Sequence, residues 1–214
     1  MNDPVNQNIT LLTVEEFFAI YGGKYEKYEL IDGIAYMMSS ANSVHQALSF
    51  FLNGVLFNFL KGKKCQGFAA PYDVFLNESP KDANGKLIKN KRVKGTVVQP
   101  DLMVVCDRDK IKSDGIHGAP DFIIEILSAA TRDKDKSLKL YKYFTSGVKE
   151  YWIVDADEQE VHVYKFNHKD IKIKANHDTF TFNDKVKSHV LDGLEIDFSH
   201  FEFEFEEKII YNKL

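Results

Sequence analysis

Two short apolar runs near the middle of the chain, residues 97–105 and 122–127, each contain a carboxylate, Asp101 and Glu125 respectively. Both runs are rich in β-branched residues and bounded by turn residues, a pattern typical of strands covered on both faces. An unpaired buried carboxylate costs several kcal/mol, so each must be neutral, paired with a cation or bound to a metal. Two carboxylates on neighbouring strands favour a shared metal ion.

A second Pro-Asp pair, Pro120-Asp121, precedes the run that holds Glu125. Side chains on a strand alternate faces at about 3.3 Å per residue, so Asp121 shares a face with Glu125 but lies roughly 13 Å from it. One ion cannot bind both groups. Asp101 is therefore the predicted partner of Glu125.

The composition predicts a single soluble domain over residues 1–214, since 44% of the residues are hydrophobic and 28% are charged. No apolar stretch approaches the roughly 20 residues that span a bilayer. The N-terminus lacks the basic and apolar regions of a secretion signal, and we expect a cytoplasmic location. Cys65 and Cys106 lie far apart in sequence. We predict neither a disulfide framework nor a thiolate metal site, and we interpret both cysteines as inert.

Charge is segregated along the chain. The net charge of −4 argues against a protein that coats nucleic acid by bulk electrostatics, but it leaves room for a local basic surface. Basic residues crowd a segment before the first apolar run: Lys81, Lys86, Lys89, Lys91, Arg92 and Lys94. This segment is either that local surface or ordinary solvated charge.

Near the C-terminus, glutamates alternate with Phe201, Phe203 and Phe205. The alternation predicts a strand with one apolar face that must be covered, either by its own sheet or by a partner subunit. A homodimer is therefore one of two interpretations of this segment.

The periodicity of the chain predicts an α/β architecture, a mixed sheet flanked by helices, with an N-terminal helix and hairpin and extra C-terminal strands. Capping residues and helical spacing predict helices over 13–22, 43–60 and 131–144, with Gly147 closing the last one. Asp32-Gly33 predicts the turn of a hairpin over 28–38. Strands are predicted over 67–76, 97–105, 122–127, 150–154 and 161–166, and in the remainder to Leu214.

Several motifs follow one another between about residues 13 and 164. They are Tyr-Glu-Leu-Ile-Asp-Gly at 28–33, His45 at a helix start, Gln-Pro-Asp-Leu at 99–102, residues 118–128, Thr131-Arg132 with Asp135 and Lys139, and residues 147–155. Each motif alone is weak, but their order and spacing together resemble the Uma-two family of restriction-endonuclease-like proteins, within the PD-(D/E)XK nuclease superfamily. The resemblance implies a mixed four-stranded sheet between two helices and Mg²⁺-dependent phosphodiester cleavage.

The same resemblance implies that Asp101, Glu125 and Lys139 form the catalytic centre. The standard superfamily motif has a lysine two residues after the glutamate, where this chain has Leu127; in the family pattern the lysine comes from the following helix, at Lys139. Asp101 and Glu125 would bind Mg²⁺ or Mn²⁺ through carboxylate oxygens. Lys139 would position the attacking water or stabilise developing charge.

Three further residues are secondary candidates. Glu29 is either another carboxylate near the metal or a solvated partner of Lys27. His45 would contact a phosphate or orient a carboxylate, or it is an ordinary hydrogen-bonded residue of the first helical turn. Asp135 matches the family pattern, and without the resemblance Asp135 and Lys139 fit an exposed helical ion pair.

The resemblance thus implies a metal-dependent endonuclease whose partner is nucleic acid, DNA in preference to RNA. The alternative from another class is a nuclease fold that serves as a non-catalytic nucleic-acid-binding or dimeric interaction module. A hydrolase of a smaller phosphate ester also stays open. The chain has no zinc-protease histidine spacing, no Gly-x-Ser-x-Gly elbow and no phosphate-binding glycine loop.

Overall fold

The computed structural model describes residues 11–24, 26–76, 94–128, 132, 134–167 and 177–202. Within these residues the α-helices are α1 Val14–Tyr21, α2 Ser43–Leu60 and α3 Leu140–Ser146, and a π-helix, Lys134–Lys139, runs directly into α3. The strands are β1 Tyr28–Ile31, β2 Ile34–Met37, β3 Gln66–Ala69, β4 Val74–Phe75, β5 Val97–Val98, β6 Leu102–Val105, β7 Ile111–Lys112, β8 Gly115–His117, β9 Phe122–Ile126, β10 Glu150–Asp155, β11 Glu160–Lys165, β12 His177–Thr181, β13 Lys185–Lys187 and β14 Glu195–Asp197.

Two mixed sheets form the body of the described structure. The first has the order β2-β1-β5-β4-β8-β7, and the second has the order β12-β11-β10-β9-β6-β3. Strands β9 and β10 pair in parallel, as do β4 and β8, while the other pairs in these sheets are antiparallel. Strands β13 and β14 form a separate antiparallel hairpin.

The second sheet is covered on both faces. Leu48, Leu52 and Leu56, which recur every four residues along α2, pack against one face of it. Tyr143 of α3 and residues of the first sheet pack against the other face. The predicted α/β architecture is confirmed, including the N-terminal helix and hairpin and the extra C-terminal strands. The second sheet is larger than the four-stranded core that the resemblance implied.

Two predicted strands are each divided between the two sheets. The run 67–76 contains β3 of the second sheet and β4 of the first, and the run 97–105 contains β5 of the first sheet and β6 of the second. Pro71 and Pro100 stand at the two breaks, where proline cannot donate a ladder hydrogen bond. Asp101 therefore lies where the chain leaves one sheet and enters the other.

The helix predicted over 131–144 differs in the structure in both its type and its end. Residues 134–139 are a π-helix, and the α-helical part extends to Ser146, beyond the predicted end. Gly147 follows with a φ of 99°, as predicted for a residue just past a helix end. The hairpin turn was predicted correctly, because Asp32 and Gly33 have φ values of 48° and 84°.

Two strands were missed, and two predictions concern segments that the structure describes only in part. The short strands β7 and β8 were not predicted. Phe201 is half-buried against Phe51 and Phe182, whereas Phe203, Phe205 and the basic residues from Lys81 to Arg92 lie outside the described residues. No helix in the described ranges is long and apolar enough to cross a membrane.

The prediction for the cysteines was wrong, because Cys65 and Cys106 are joined by a disulfide. Gln66 of β3 is paired with Val105 of β6 in an antiparallel register, so the residues one step beyond this pair face each other. The sequence separation of 41 residues conceals this cross-strand contact.

We expect reduction of this disulfide to lower the free energy of unfolding by about 4 kcal/mol, because the bond closes a long loop in the unfolded chain. Chemical unfolding with and without a phosphine reductant measures the difference. Two reactive thiols per chain in denaturant without reductant would show that the bond is absent in solution.

Candidate active site

A cleft of about 330 Å³ lies where the chain passes between the two sheets. All six residues singled out in the sequence line it: Glu29, His45, Asp101, Glu125, Asp135 and Lys139. They come from β1, the first turn of α2, the break before β6, the interior of β9 and the π-helix. The cleft therefore collects polar residues that are up to 110 positions apart in sequence.

Asp101 and Glu125 are anchored to each other across the paired strands β6 and β9. The amide of Ile126 donates a hydrogen bond to Asp101 Oδ2 at 2.7 Å, and the amide of Asp101 lies 3.4 Å from Glu125 Oε2. Each carboxylate is thus held beside the backbone of the other strand. Asp121, the aspartate excluded by spacing, instead accepts hydrogen bonds from the Cys106 amide and from Lys149 Nζ.

Lys139 is buried and points into the carboxylates. Its Nζ lies 2.8 Å from Glu125 Oε1, 2.8 Å from Glu29 Oε1 and 3.6 Å from Asp135 Oδ1. Only 4% of the Lys139 side chain is exposed, which excludes the exposed ion pair. Leu127, at the place of the standard strand lysine, is buried and apolar.

The π-helix explains how two lysines reach one glutamate. Lys134 Nζ lies 2.8 Å from Glu29 Oε2, while Lys139 contacts the other oxygen of the same carboxylate. In an α-helix, residues five apart point about 140° away from each other. A π-helix pairs residues i and i+5, which brings such side chains towards the same side.

Glu29 is a buried anchor for these ammonium groups. Besides both lysines, it accepts a hydrogen bond from the Gln99 amide at 3.1 Å, and its side chain is fully buried. The solvated pairing with Lys27 that we considered does not occur at this buried position. Glu29 therefore fixes where Lys139 presents its charge.

His45 and Asp135 complete the cluster. His45 Nε2 lies 3.1 Å from Asp101 Oδ2, and the side chain of Asn42 caps the helix by accepting from the His45 amide. Burial opposes protonation of His45, but the hydrogen bond with Asp101 prevails and raises its pKa. Asp135 is buried beside Lys139.

Sequence reasoning missed Tyr143, whose hydroxyl donates a hydrogen bond to Glu125 Oε1 at 2.6 Å. Tyr143 is four residues after Lys139, so both side chains lie on the same helical face. That spacing was a usable signal, but a tyrosine in an amphipathic helix is far more often a core residue. Tyr143 and Lys139 together hold one oxygen of Glu125.

Negative charge dominates the electrostatics of the cluster. Burial, together with the Asp101, Asp135 and Glu29 carboxylates, raises the pKa of Glu125 to about 8, although Lys139 opposes this shift. Burial lowers the pKa of Lys139, but the surrounding carboxylates outweigh it and raise that pKa well above the ordinary value. Lys139 is consequently a permanent positive charge near neutral pH and cannot act as a general base.

The donor set suits a hard divalent cation. Four carboxylates line the cleft with Lys139 and Lys134, and burial together with these neighbouring carboxylates raises the pKa of Glu125. A divalent ion beside Asp101 and Glu125 would offset the charge of these carboxylates. The described residues contain no group of three or more His, Cys, Asp or Glu side chains placed to hold a metal. Two carboxylates still fit Mg²⁺, which keeps several waters and is usually bound through one or two carboxylates plus phosphate.

Comparison with known proteins identifies relatives of this fold. Residues 14–199 match the model of the Uma2 family, described as "Putative restriction endonuclease". An uncharacterized protein of Synechocystis, slr1290, is 25% identical over 163 residues, which cover 73% of this chain and 75% of that protein. The crystal structure of a putative nuclease of DUF820 from Anabaena variabilis has a TM-score of 0.64 and 18% identity, and the match covers 88% of this chain and 96% of that one.

Proposed function

The chain belongs to the Uma2 family, and from this membership and the acidic cleft we propose that it is an endonuclease that hydrolyses phosphodiester bonds in DNA with Mg²⁺ or Mn²⁺. The observation that carries the proposal is the buried Lys139 ammonium held between Glu125 and Glu29, at the floor of a cleft that Asp101 also lines. A buried ion pair of this kind adds little to stability, so its place in a cleft points to function.

Each residue has a distinct task in this proposal. Asp101 and Glu125 bind the cation, which when bound supplies a water of lowered pKa and polarises the scissile phosphate. Lys139 stabilises the negative charge that accumulates on the phosphate oxygens, because it is already fixed and desolvated before substrate arrives. Glu29 and Tyr143 position Lys139 and Glu125, and His45 orients Asp101.

Four carboxylates and three lysines line the cleft. A dication held by Asp101 and Glu125 would offset the carboxylates and attract a phosphate group of the substrate. Burial lowers the pKa of His45, but the hydrogen bond with Asp101 outweighs it and raises that pKa, which favours the positively charged form beside the carboxylates.

Nicking of supercoiled plasmid in Mg²⁺, in Mn²⁺ and with a chelator tests the proposal. We expect cleavage with either ion and none with the chelator, and the Glu125→Gln variant should be folded and inactive. Parallel assays on single-stranded DNA and RNA of the same sequence define the substrate. DNA binding without cleavage in any metal would instead support the non-catalytic binding module.

A further inference from the structure

A second group of metal-ligating side chains lies outside the acidic cleft, on the edge of the second sheet. His162 of β11 is the register partner of Thr179 of β12, and His177 is two residues before Thr179 on the same strand. Because strand side chains alternate faces, all three project from the same face of the sheet. The positions of the three are thus fixed by backbone pairing.

Three donor atoms of this group form a nearly equilateral triangle. His162 Nδ1 lies 3.3 Å from His177 Nε2 and 3.2 Å from Thr179 Oγ1, and the third side, from Thr179 Oγ1 to His177 Nε2, is 3.5 Å. A tetrahedral zinc ion with ligands at about 2.0–2.1 Å requires donors about 3.3–3.4 Å apart. We propose that His162, His177 and Thr179 form a binding site for a transition-metal dication, Zn²⁺ by preference, with solvent completing the coordination.

The surroundings hold both imidazoles in place. The Tyr164 ring stacks on the His177 ring, with centroids 4.4 Å apart and an angle of 11° between the planes. Glu160 Oε2 lies 3.6 Å from the outer nitrogen of His162, Nε2, where a carboxylate orients a ligating histidine. His177 and Thr179 are exposed, which leaves a path for the ion.

Neighbouring charges are compatible with a bound cation. Lys136 Nζ lies 3.4 Å from His162 Nε2, but it also has Asp155 Oδ2 at 3.5 Å as an alternative partner. Burial and Lys136 lower the pKa of His162, and burial also lowers the pKa of His177. Neutral imidazole is the form that binds Zn²⁺, and imidazole nitrogens suit zinc, copper and nickel rather than Mg²⁺.

Competition between the protein and a chromophoric zinc chelator tests this site with ZnCl₂ as the probe. We use an Asp101→Asn background so that ions at the acidic cleft do not contribute. One Zn²⁺ per chain should bind, and His177→Ala or His162→Ala should weaken binding by more than about 100-fold, since even loss of an outer-shell partner costs about 10–100-fold. Glu160→Gln should weaken it by about tenfold.

His200→Ala is the matched control, because His200 is an exposed histidine outside this group. Unchanged zinc affinity in His200→Ala together with its loss in His177→Ala supports the site. Wild-type-like affinity in His177→Ala, or no zinc binding by the parent, overturns it. The measurement does not involve cleavage, so it stands apart from the proposed nuclease activity.

Discussion

Replacing Asp101 by asparagine is expected to reduce Mg²⁺-dependent plasmid nicking by about a thousandfold or more. The asparagine retains an oxygen that accepts the Ile126 amide hydrogen bond, so the fold around β6 and β9 is preserved. The lost carboxylate is one of the two proposed to hold the cation, whose charge stabilisation amounts to several kcal/mol. About 4 kcal/mol corresponds to a factor of roughly a thousand in rate.

Asp121→Asn is the matched control for this substitution. Asp121 also follows a proline and is more buried than the half-buried Asp101, but its oxygens accept hydrogen bonds from the Cys106 amide and Lys149 Nζ. We expect this variant to cleave DNA at the wild-type rate and to lose about 1–3 kcal/mol of stability. Equal losses of activity in the two variants would contradict the assignment of Asp101, and so would an active Asp101→Asn protein.

Local sequence patterns predicted that Asp101 and Glu125 are neighbours, because a charged side chain in the core is costly unless it has a partner. A glutamate in the interior of a β-branched run needs a partner, and the two-residue period of a strand excluded Asp121 on distance. Both arguments use a few adjacent residues. Lys139 was different, since its helical spacing favours an exposed ion pair with Asp135 and only the family resemblance predicted that it faces inward.

Features that depend on pairing between distant segments could not be predicted in this way. The alternation of a strand defines its two faces but does not name its neighbour, so the division of residues 97–105 between two sheets was missed. The Cys65–Cys106 disulfide depends on the register of β3 and β6 for the same reason. The π-helix is stabilised by tertiary contacts of Lys134 and Lys139 with Glu29, a residue more than 100 positions away.

Lys139→Met is expected to destabilise the protein by about 3–5 kcal/mol at pH 8 and to abolish cleavage. Removing one partner of a buried pair leaves the other charge uncompensated. In this variant Glu125 keeps the Tyr143 hydroxyl and the Asp101 amide but loses its ammonium partner. Glu29 keeps Lys134 and the Gln99 amide. Lys136→Met, in the same π-helix but at a half-exposed position, should cost less than about 1 kcal/mol.

The stability difference between Lys139→Met and wild type should widen as pH rises from 5 to 8. A carboxyl group whose pKa is higher in the folded state than in the unfolded state stabilises the fold fully below the unfolded-state pKa. This contribution is lost as the pH rises towards the folded-state pKa. Wild-type Glu125 already behaves this way, with a pKa of about 8. Loss of Lys139 removes the main influence that lowers the pKa of Glu125 and of Glu29, so the variant loses more stability over the same interval. Chemical unfolding at several pH values measures the difference.

A double variant separates the structural role of Lys139 from its proposed catalytic role. Adding Glu125→Gln to Lys139→Met removes the carboxylate that the single substitution leaves buried without its ammonium partner, and stability at pH 8 should partly recover. Cleavage should stay absent, because neither the carboxylate proposed to bind the cation nor the fixed positive charge of Lys139 is restored. A double variant as unstable as Lys139→Met would show that the lysine stabilises the fold through contacts other than Glu125. Recovery of cleavage would show that Lys139 is not required in the reaction.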